Sequence, residues 1–102
     1  MSKPQRITFS MTNLSSYITT GICIKDKIVG NYEFMSDGLG HGSYQISYDG
    51  YTWSDHDSAD NSHYSGWYYN GGDKVTVEVC PKLKQVKFIK NGDEGGAKTM
   101  KF

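Results

Sequence analysis

Nine residues near the middle of the chain, 55–63, concentrate side chains that could do chemistry. Their sequence, DHDSADNSH, contains three aspartates, two histidines and one asparagine. Carboxylates bind calcium, imidazoles bind zinc, and an aspartate next to a histidine can act as an acid–base pair. The same composition is also typical of a solvated loop. Each of these four interpretations makes a different demand on residue spacing.

The calcium interpretation fails the template of the EF-hand. That loop needs oxygen ligands at alternate positions and a glycine at the sixth. Counted from Asp55, the fifth position is Ala59 and the sixth is Asp60. Another calcium geometry stays open, because Asp55, Asp57 and Asp60 place three carboxylates within six residues.

Spacing also disfavours zinc and catalysis. His56 and His63 have no cysteine nearby, and His41 is the only other histidine, so a closed zinc site would have to recruit carboxylates. Asp57 could pair with His56 or His63, but no serine or cysteine lies in a nucleophile setting such as G-x-S-x-G. We therefore expect no enzyme activity, no metal and no cofactor. Residues 55–63 are interpreted as a solvated loop between strands, where recognition often resides.

The composition predicts a small intracellular β protein. The 102 residues fit a single domain, 1–102, and two alanines and three leucines leave few strong helix formers. The chain shows no apolar run of membrane-spanning length and no secretory signal in MSKPQR, so we expect a cytoplasmic protein without membrane contact. Cys23 and Cys80 have no C-x-x-C spacing and are predicted to be free thiols, although one long-range disulfide stays open.

The net charge is zero, but the charges are unevenly distributed. Residues 31–73 carry seven acids and no lysine or arginine, whereas residues 74–102 carry seven lysines. A fold that brings these two segments together would let their opposite charges neutralise one another. Nucleic-acid binding is disfavoured, because it needs basic residues interleaved with exposed aromatics, and the aromatics here lie in the acidic segment.

A period of two in the hydrophobic pattern predicts about seven or eight short strands. The last hairpin is the clearest: Val75, Val77 and Val79 should face Val86 and Phe88. Pro81 should end one strand, and Asn91-Gly92 is a strong hairpin signal. Gly21 should mark a bulge or a close approach of two strands. The remaining strands are predicted at ITFSM, YITTGICI, IVGNYEF, GSYQISYDGYTWS and KTMKF. The sequence therefore predicts an all-β fold, a two-sheet antiparallel β-sandwich.

Two blocks of this pattern resemble the SPRY domain, the core of the B30.2 modules. They are GSYQISYDGYTWS and NGGDKVTVEVCPKLKQVKFIKNG, and ITTGICIKDKIV is similar to an earlier strand of the family. The resemblance covers most of residues 18–92. It implies a twisted, concanavalin-like sandwich that recognises a protein or peptide through its loops, without catalysis, as one part of a larger protein or assembly.

The chain also departs from the family pattern at both ends. No aromatic-rich strand of the YFEV kind precedes Ile7, and no proline-bearing strand follows Asn91-Gly92. We interpret the chain as a compact variant or as a piece of a longer protein. In the second case two sheet edges would lack a neighbour, so we also expect that a homodimer could form through a sheet edge.

Aromatic residues flank the polar loop and are the predicted binding anchors. At least half of them should belong to the core, and alternation places Trp67 and Tyr69 on one face with Tyr68 on the other. The others would anchor a protein partner, with aspartate and histidine supplying polar contacts. The candidate binding residues are Tyr51, Trp53, Asp55, His56, Asp57, Trp67 and Tyr68. The same residues suit a lectin-like module that stacks sugars on aromatic rings, which is the alternative function.

Overall fold

Alternating apolar and polar residues form two antiparallel sheets in the structure, a computed structural model that describes residues 4–12, 17–28 and 38–102. The strands in these ranges are β1 (Gln5–Ser10), β2 (Thr19–Cys23), β3 (Ser43–Ser47), β4 (Tyr51–Ser54), β5 (His63–Tyr64), β6 (Lys74–Cys80), β7 (Gln85–Lys90) and β8 (Asp93–Lys101). The first sheet has the order β1-β6-β7-β8, and the second has the order β2-β3-β4-β5.

The core lies between the two sheets. The second sheet contributes Tyr44 and Ile46, and the first contributes alternate residues of its central strands. Met11 and Tyr69 complete the cluster from the connecting segments. The full cluster of buried residues is Met11, Tyr44, Ile46, Tyr69, Val75, Val77, Val86, Phe88 and Met100. The chain is therefore the all-β, two-sheet antiparallel sandwich that the sequence predicts.

The last three strands form as predicted, because their signals are local. Val77 pairs with Phe88, and Val79 pairs with Val86. A 3₁₀ turn at Pro81–Leu83 ends β6. Asn91 and Gly92 both have positive φ, 54° and 75°, which is the geometry of a type I′ hairpin turn.

Gly21 marks the close approach that the sequence predicts. A Cβ at this position would collide with the backbone oxygen of Tyr44 and lie 2.6 Å from Cα of Gln45. The pairing of β2 with β3 is regular there, with Gly21 opposite Gln45, so no bulge is present. The missing side chain is what allows β2 to lie this close to β3.

Both faces of β7 are covered near its end. Ile89 lies on the face opposite Phe88 and is only 1% exposed. Lys25–Ile28 forms one helical turn after β2. Most of the strand predicted at IVGNYEF lies outside the described residues. No helix in the described part of the chain has both the length and the apolar composition to cross a membrane.

β1 forms where ITFSM predicts it, but its apolar side chains are not covered. Ile7 pairs with Val77 and Phe9 pairs with Val75, so they point to the same side of the sheet as the core residues. Even so, Ile7 is 62% exposed and Phe9 is 42% exposed. β1 is the outermost strand of its sheet, and the buried cluster is built on its neighbours instead.

Candidate functional site

The polar loop, residues 55–62, is tied to the body of the protein by its own side chains. Asp55 is only 4% exposed, and its Oδ1 accepts the backbone N–H of Gly42 at 2.7 Å. Oδ1 of Asp57 accepts the N–H of Ala59 at 2.9 Å, and Oγ of Ser54 accepts the N–H of Asp57 at 3.0 Å. Much of the loop's polarity therefore satisfies backbone groups.

A buried histidine anchors the far end of the same loop. The backbone N–H of Ser43 donates to Nδ1 of His41 at 3.2 Å. Nδ1 is therefore an acceptor, so the ring proton is on Nε2, which donates to Oδ1 of Asn61 at 2.8 Å. The same Asn61 oxygen accepts the N–H of Ser54 at 3.1 Å. His41 and Asn61 thus fix the course of the loop across β3 and β4.

A serine hydroxyl beside an imidazole is also the contact used in nucleophilic catalysis. Oγ of Ser43 lies 2.9 Å from Nδ1 of His41, and it accepts a hydrogen bond from Nε2 of Gln45 at 3.1 Å. Ser43 and His41 are only 3% and 4% exposed. The pair is therefore enclosed in the protein, and its hydrogen bonds hold β3 to the polar loop.

His56 is the exposed imidazole of the predicted site. Its Nδ1 lies 2.8 Å from the hydroxyl of Tyr44, and the two rings are 5.7 Å apart. Burial raises the pKa of Tyr44, and the nearby carboxylate of Asp55 raises it further. Among the described residues no three histidine, cysteine, aspartate or glutamate side chains converge as metal ligands would.

Three exposed tyrosines stand together on the outer face of the second sheet; we call Tyr17, Tyr51 and Tyr64 the tyrosine surface. They are 47%, 40% and 58% exposed, respectively. Tyr51 lies directly opposite Tyr64 in the β4–β5 pairing, with ring centroids 5.2 Å apart. Tyr17 packs edge-on against Tyr48 at 5.6 Å, and its hydroxyl hydrogen-bonds to Ser47, whose Oγ accepts the backbone N–H of Tyr51 at 3.0 Å. Adjacent strands thus bring together aromatic residues that are distant in sequence.

One carboxylate borders the tyrosine surface. Asp49 lies in the turn between β3 and β4, and its Oδ1 accepts the hydroxyl of Ser47 at 2.5 Å. The hydroxyl of Tyr17 hydrogen-bonds to Ser47 as well. Burial raises the pKa of Tyr17, and the charge of Asp49 raises it further. A negative charge therefore stands at the margin of the exposed rings.

The same outer face continues into an open depression of about 220 Å³. Trp53 is 7% exposed and pairs with Gln45, which in turn pairs with Gly21. Trp53 therefore lies on the same outer face, two residues from Tyr51 and next to Gln45 at the side of the depression. The depression is lined by Thr19, Gly21, Ile22, Cys23, Ser43 and Gln45.

Trp67 and Tyr68 lie beside the first sheet. Trp67 is half-buried, with its ring 6.1 Å from that of Tyr69, and its Nε1 donates to the backbone oxygen of Gly96 at 2.8 Å. Tyr68 points the other way and is 52% exposed, so the predicted division of faces is confirmed. Nζ of Lys90 lies 4.7 Å from the Tyr68 ring centre, so a cation already covers this ring.

The structure separates the predicted site residues into groups. Tyr51 lies with Trp53 and Tyr64, whereas Asp55, His56 and Asp57 follow the other end of β4. Asp55 follows Tyr51 by four residue steps of extended chain, a distance of about 13 Å. Sequence reasoning did not select Tyr17 and Tyr64. The pairing of β4 with β5 that brings in Tyr64 involves a strand of only two residues, which has no visible periodicity.

No protein-family model matches the chain, and searches of curated proteins and of solved structures likewise find no match. The resemblance to the SPRY domain therefore rests on the sequence motifs alone and stays a prediction.

Proposed function

We propose that this protein is a non-catalytic binding module that recognises a protein or peptide partner through the outer face of its second sheet. The observation that carries the proposal is the tyrosine surface, where three exposed rings stand together. Tyrosine offers a large contact area and a polar tip, and it loses little side-chain entropy when bound. It is enriched among the residues that contribute most binding energy in protein interfaces.

The shape of this face suits an extended segment. The tyrosine surface stands at one end, and the depression beside Gly21 and Gln45 stands further along the same sheet. A peptide that crosses the strands would place one apolar side chain against Tyr51 and Tyr64 and a smaller one in the depression. Asp49 beside the rings favours a lysine or arginine in the partner.

The polar residues from the sequence prediction take different parts in this proposal. Asp55 and Trp53 are almost fully buried, so we assign them the role of holding the loop and the sheet in place. His56 and Asp57 are accessible, but they lie beyond the far end of β4. They would contact only a partner that spans the whole strand. The SPRY resemblance supports the same functional class, because it implies peptide or protein recognition.

The test begins with selection of binders from a peptide library displayed on phage. The affinity of a selected peptide is then measured for wild type, Tyr51→Ala and Tyr64→Ala. Loss of a main contact should cost at least about 2 kcal/mol, or about 30-fold in Kd. Tyr68→Ala is the matched control, because this tyrosine is 52% exposed but lies beside the first sheet. It should leave Kd within about twofold, since an exposed position contributes little away from the contact.

Equal Kd values for wild type, Tyr51→Ala and Tyr64→Ala would contradict this assignment of the surface, provided that each variant melts like wild type. A glycan array forms the second arm, because tyrosine rings next to Asp49 also fit the lectin-like alternative. Glycan binding that Tyr51→Ala abolishes, together with no selected peptide, would replace the protein partner by a carbohydrate.

A further inference from the structure

β1 presents an apolar sheet edge that nothing in the described residues covers. It is the outermost strand of the first sheet, and all six of its residues are exposed. Its core-side positions carry Ile7 and Phe9, which are 62% and 42% exposed. The other edge strand of this sheet, β8, instead has two adjacent glycines, two lysines and an irregular register with β7, features that discourage pairing with another chain.

The hydrogen bonds around β6 show which backbone groups of β1 point outward. Met11 donates its N–H to the oxygen of Asp73 at 2.9 Å, and Lys74 accepts the N–H of Asn91 at 2.8 Å. Bonding groups alternate along an antiparallel pair, so the odd-numbered residues of β1 bond to β6. The N–H and C=O groups of Arg6, Thr8 and Ser10 therefore face away from the sheet.

We propose that a second copy of this chain binds to this edge, with the two β1 strands antiparallel and the two-fold axis at Thr8. Thr8 then lies opposite the partner subunit's Thr8, and Arg6 lies opposite the partner subunit's Ser10. These outward-facing residues form the hydrogen-bonded pairs, and each pair exchanges both backbone bonds. The two first sheets join into one continuous sheet.

The side chains agree with this register. Ile7 falls opposite the partner subunit's Phe9, at a pair without hydrogen bonds, where side chains of neighbouring strands are closest. Aromatic and β-branched residues stabilise such pairs, and a threonine pair is favourable on the other face. Arg6 meets no like charge, and it already forms ion pairs with Glu78 at 2.5 Å and Glu94 at 3.1 Å. A second copy thus pairs the outward backbone groups of β1, covers its apolar side chains and places no like charge against Arg6.

A shift of the axis by one residue, to Ile7, gives one competing register. It would leave Phe9 opposite the partner subunit's Gln5, and only Arg6 and Thr8 would form hydrogen-bonded pairs. The axis at Thr8 therefore pairs more backbone groups and matches apolar with apolar side chains. This proposal does not depend on the binding function proposed above, since it concerns the other sheet.

Cross-linking tests the register directly, in a background with Cys23→Ser and Cys80→Ser. Opposed Cα atoms in a hydrogen-bonded pair are about 5.5 Å apart, within the range that a disulfide spans. Thr8→Cys should therefore form a covalent dimer on mild oxidation. Ser10→Cys should stay monomeric under the same conditions, because the two copies of residue 10 would lie about 13 Å apart along the strands.

The mass in solution is the second readout, measured by sedimentation over a range of protein concentrations. Wild type should reach twice the mass of one chain. Phe9→Lys should remain at the mass of one chain, and Leu83→Lys, a control at a residue 56% exposed in the turn after β6, should behave like wild type. A wild-type monomer at every concentration overturns the proposal. Cross-linking of Ser10→Cys as efficient as that of Thr8→Cys overturns the register.

Discussion

Two neighbouring residues of β7 allow a direct test of how the sandwich is packed. Phe88 and Ile89 are 0% and 1% exposed, yet they point to opposite faces of the strand. Phe88 pairs with Val77 and belongs to the central core cluster, whereas Ile89 pairs with Thr76 and lies outside that cluster. If burial alone decides the cost of truncation, both substitutions should destabilise the protein strongly.

The expected magnitudes follow from the usual cost of emptying a buried site. Phe88→Ala should lower the free energy of unfolding by about 3–5 kcal/mol, and Ile89→Ala by about 2–5 kcal/mol. Domains of this kind have total stabilities of only about 5–15 kcal/mol, so either variant could be close to unfolding. Ile89→Val removes one methylene group and should cost about 0.5–1.5 kcal/mol, which keeps the test measurable.

Urea unfolding followed by circular dichroism and by tryptophan fluorescence measures these differences. Leu83→Ala is the control, since this side chain is 56% exposed and should change stability by no more than about 0.5 kcal/mol. An unchanged m value would show that the variants alter stability and not the unfolded state. A cost of less than about 1 kcal/mol for Ile89→Ala, with the full loss for Phe88→Ala, would contradict this reasoning. It would mean that Ile89 is accessible to water and that the outer face of the first sheet is not covered.

Three further predictions concern other parts of the fold. Gly21→Ala should destabilise by about 1–3 kcal/mol, because the added methyl group meets backbone of β3 that cannot move freely; urea unfolding measures this, and an unchanged midpoint contradicts it. The hydrogen bonds from the Asn91 side chain and the Asn70 backbone lower the pKa of Asp73 below its ordinary value of 3.8, so its contribution to stability is present above that value and is lost as the pH falls through the lowered pKa. Asp73→Asn should therefore flatten the acid side of the stability profile, and a wild-type profile in this variant contradicts the assignment. The melting temperature should not change with millimolar calcium, zinc or chelator, since one oxygen each of Asp55 and Asp57 already accepts a backbone N–H; a rise of several degrees with calcium would revive a metal site in the polar loop.

The parts of the first sheet that could be predicted from sequence are those specified by residues within one strand or one turn. Pro81 and Asn91-Gly92 act through their own backbone restrictions, and the alternating valines of β6 fix the register against β7. The coverage of Ile89 and the exposure of Phe9 could not be predicted. Both depend on which distant segments pack over each face, and alternation gives only the direction in which a side chain points.

The candidate site could be predicted only in part for the same reason. Tyr51 was selected because it flanks a polar loop, and the structure does place it at the surface. Its aromatic neighbours come from two other segments: Tyr64 meets it through the pairing of β4 with β5, and Tyr17 comes from the residues just before β2. Asp55 looked like an exposed ligand in the sequence, but its carboxylate faces the backbone N–H of Gly42. Composition shows that a loop is polar and does not show which way its polar atoms point.

The position of β1 in the sheet has a consequence for the order of folding. Its contact with β6 joins Arg6 to Glu78, which are 72 positions apart, whereas β6 and β7 meet across a turn of a few residues. The entropy of closing so long a loop exceeds that of a short hairpin by about 2 kcal/mol. We expect the three C-terminal strands to assemble early and β1 to dock last. In a single chain without a second copy at this edge, β1 should also be the first strand of its sheet to detach, with amide hydrogens that exchange with solvent before those shared by β6 and β7.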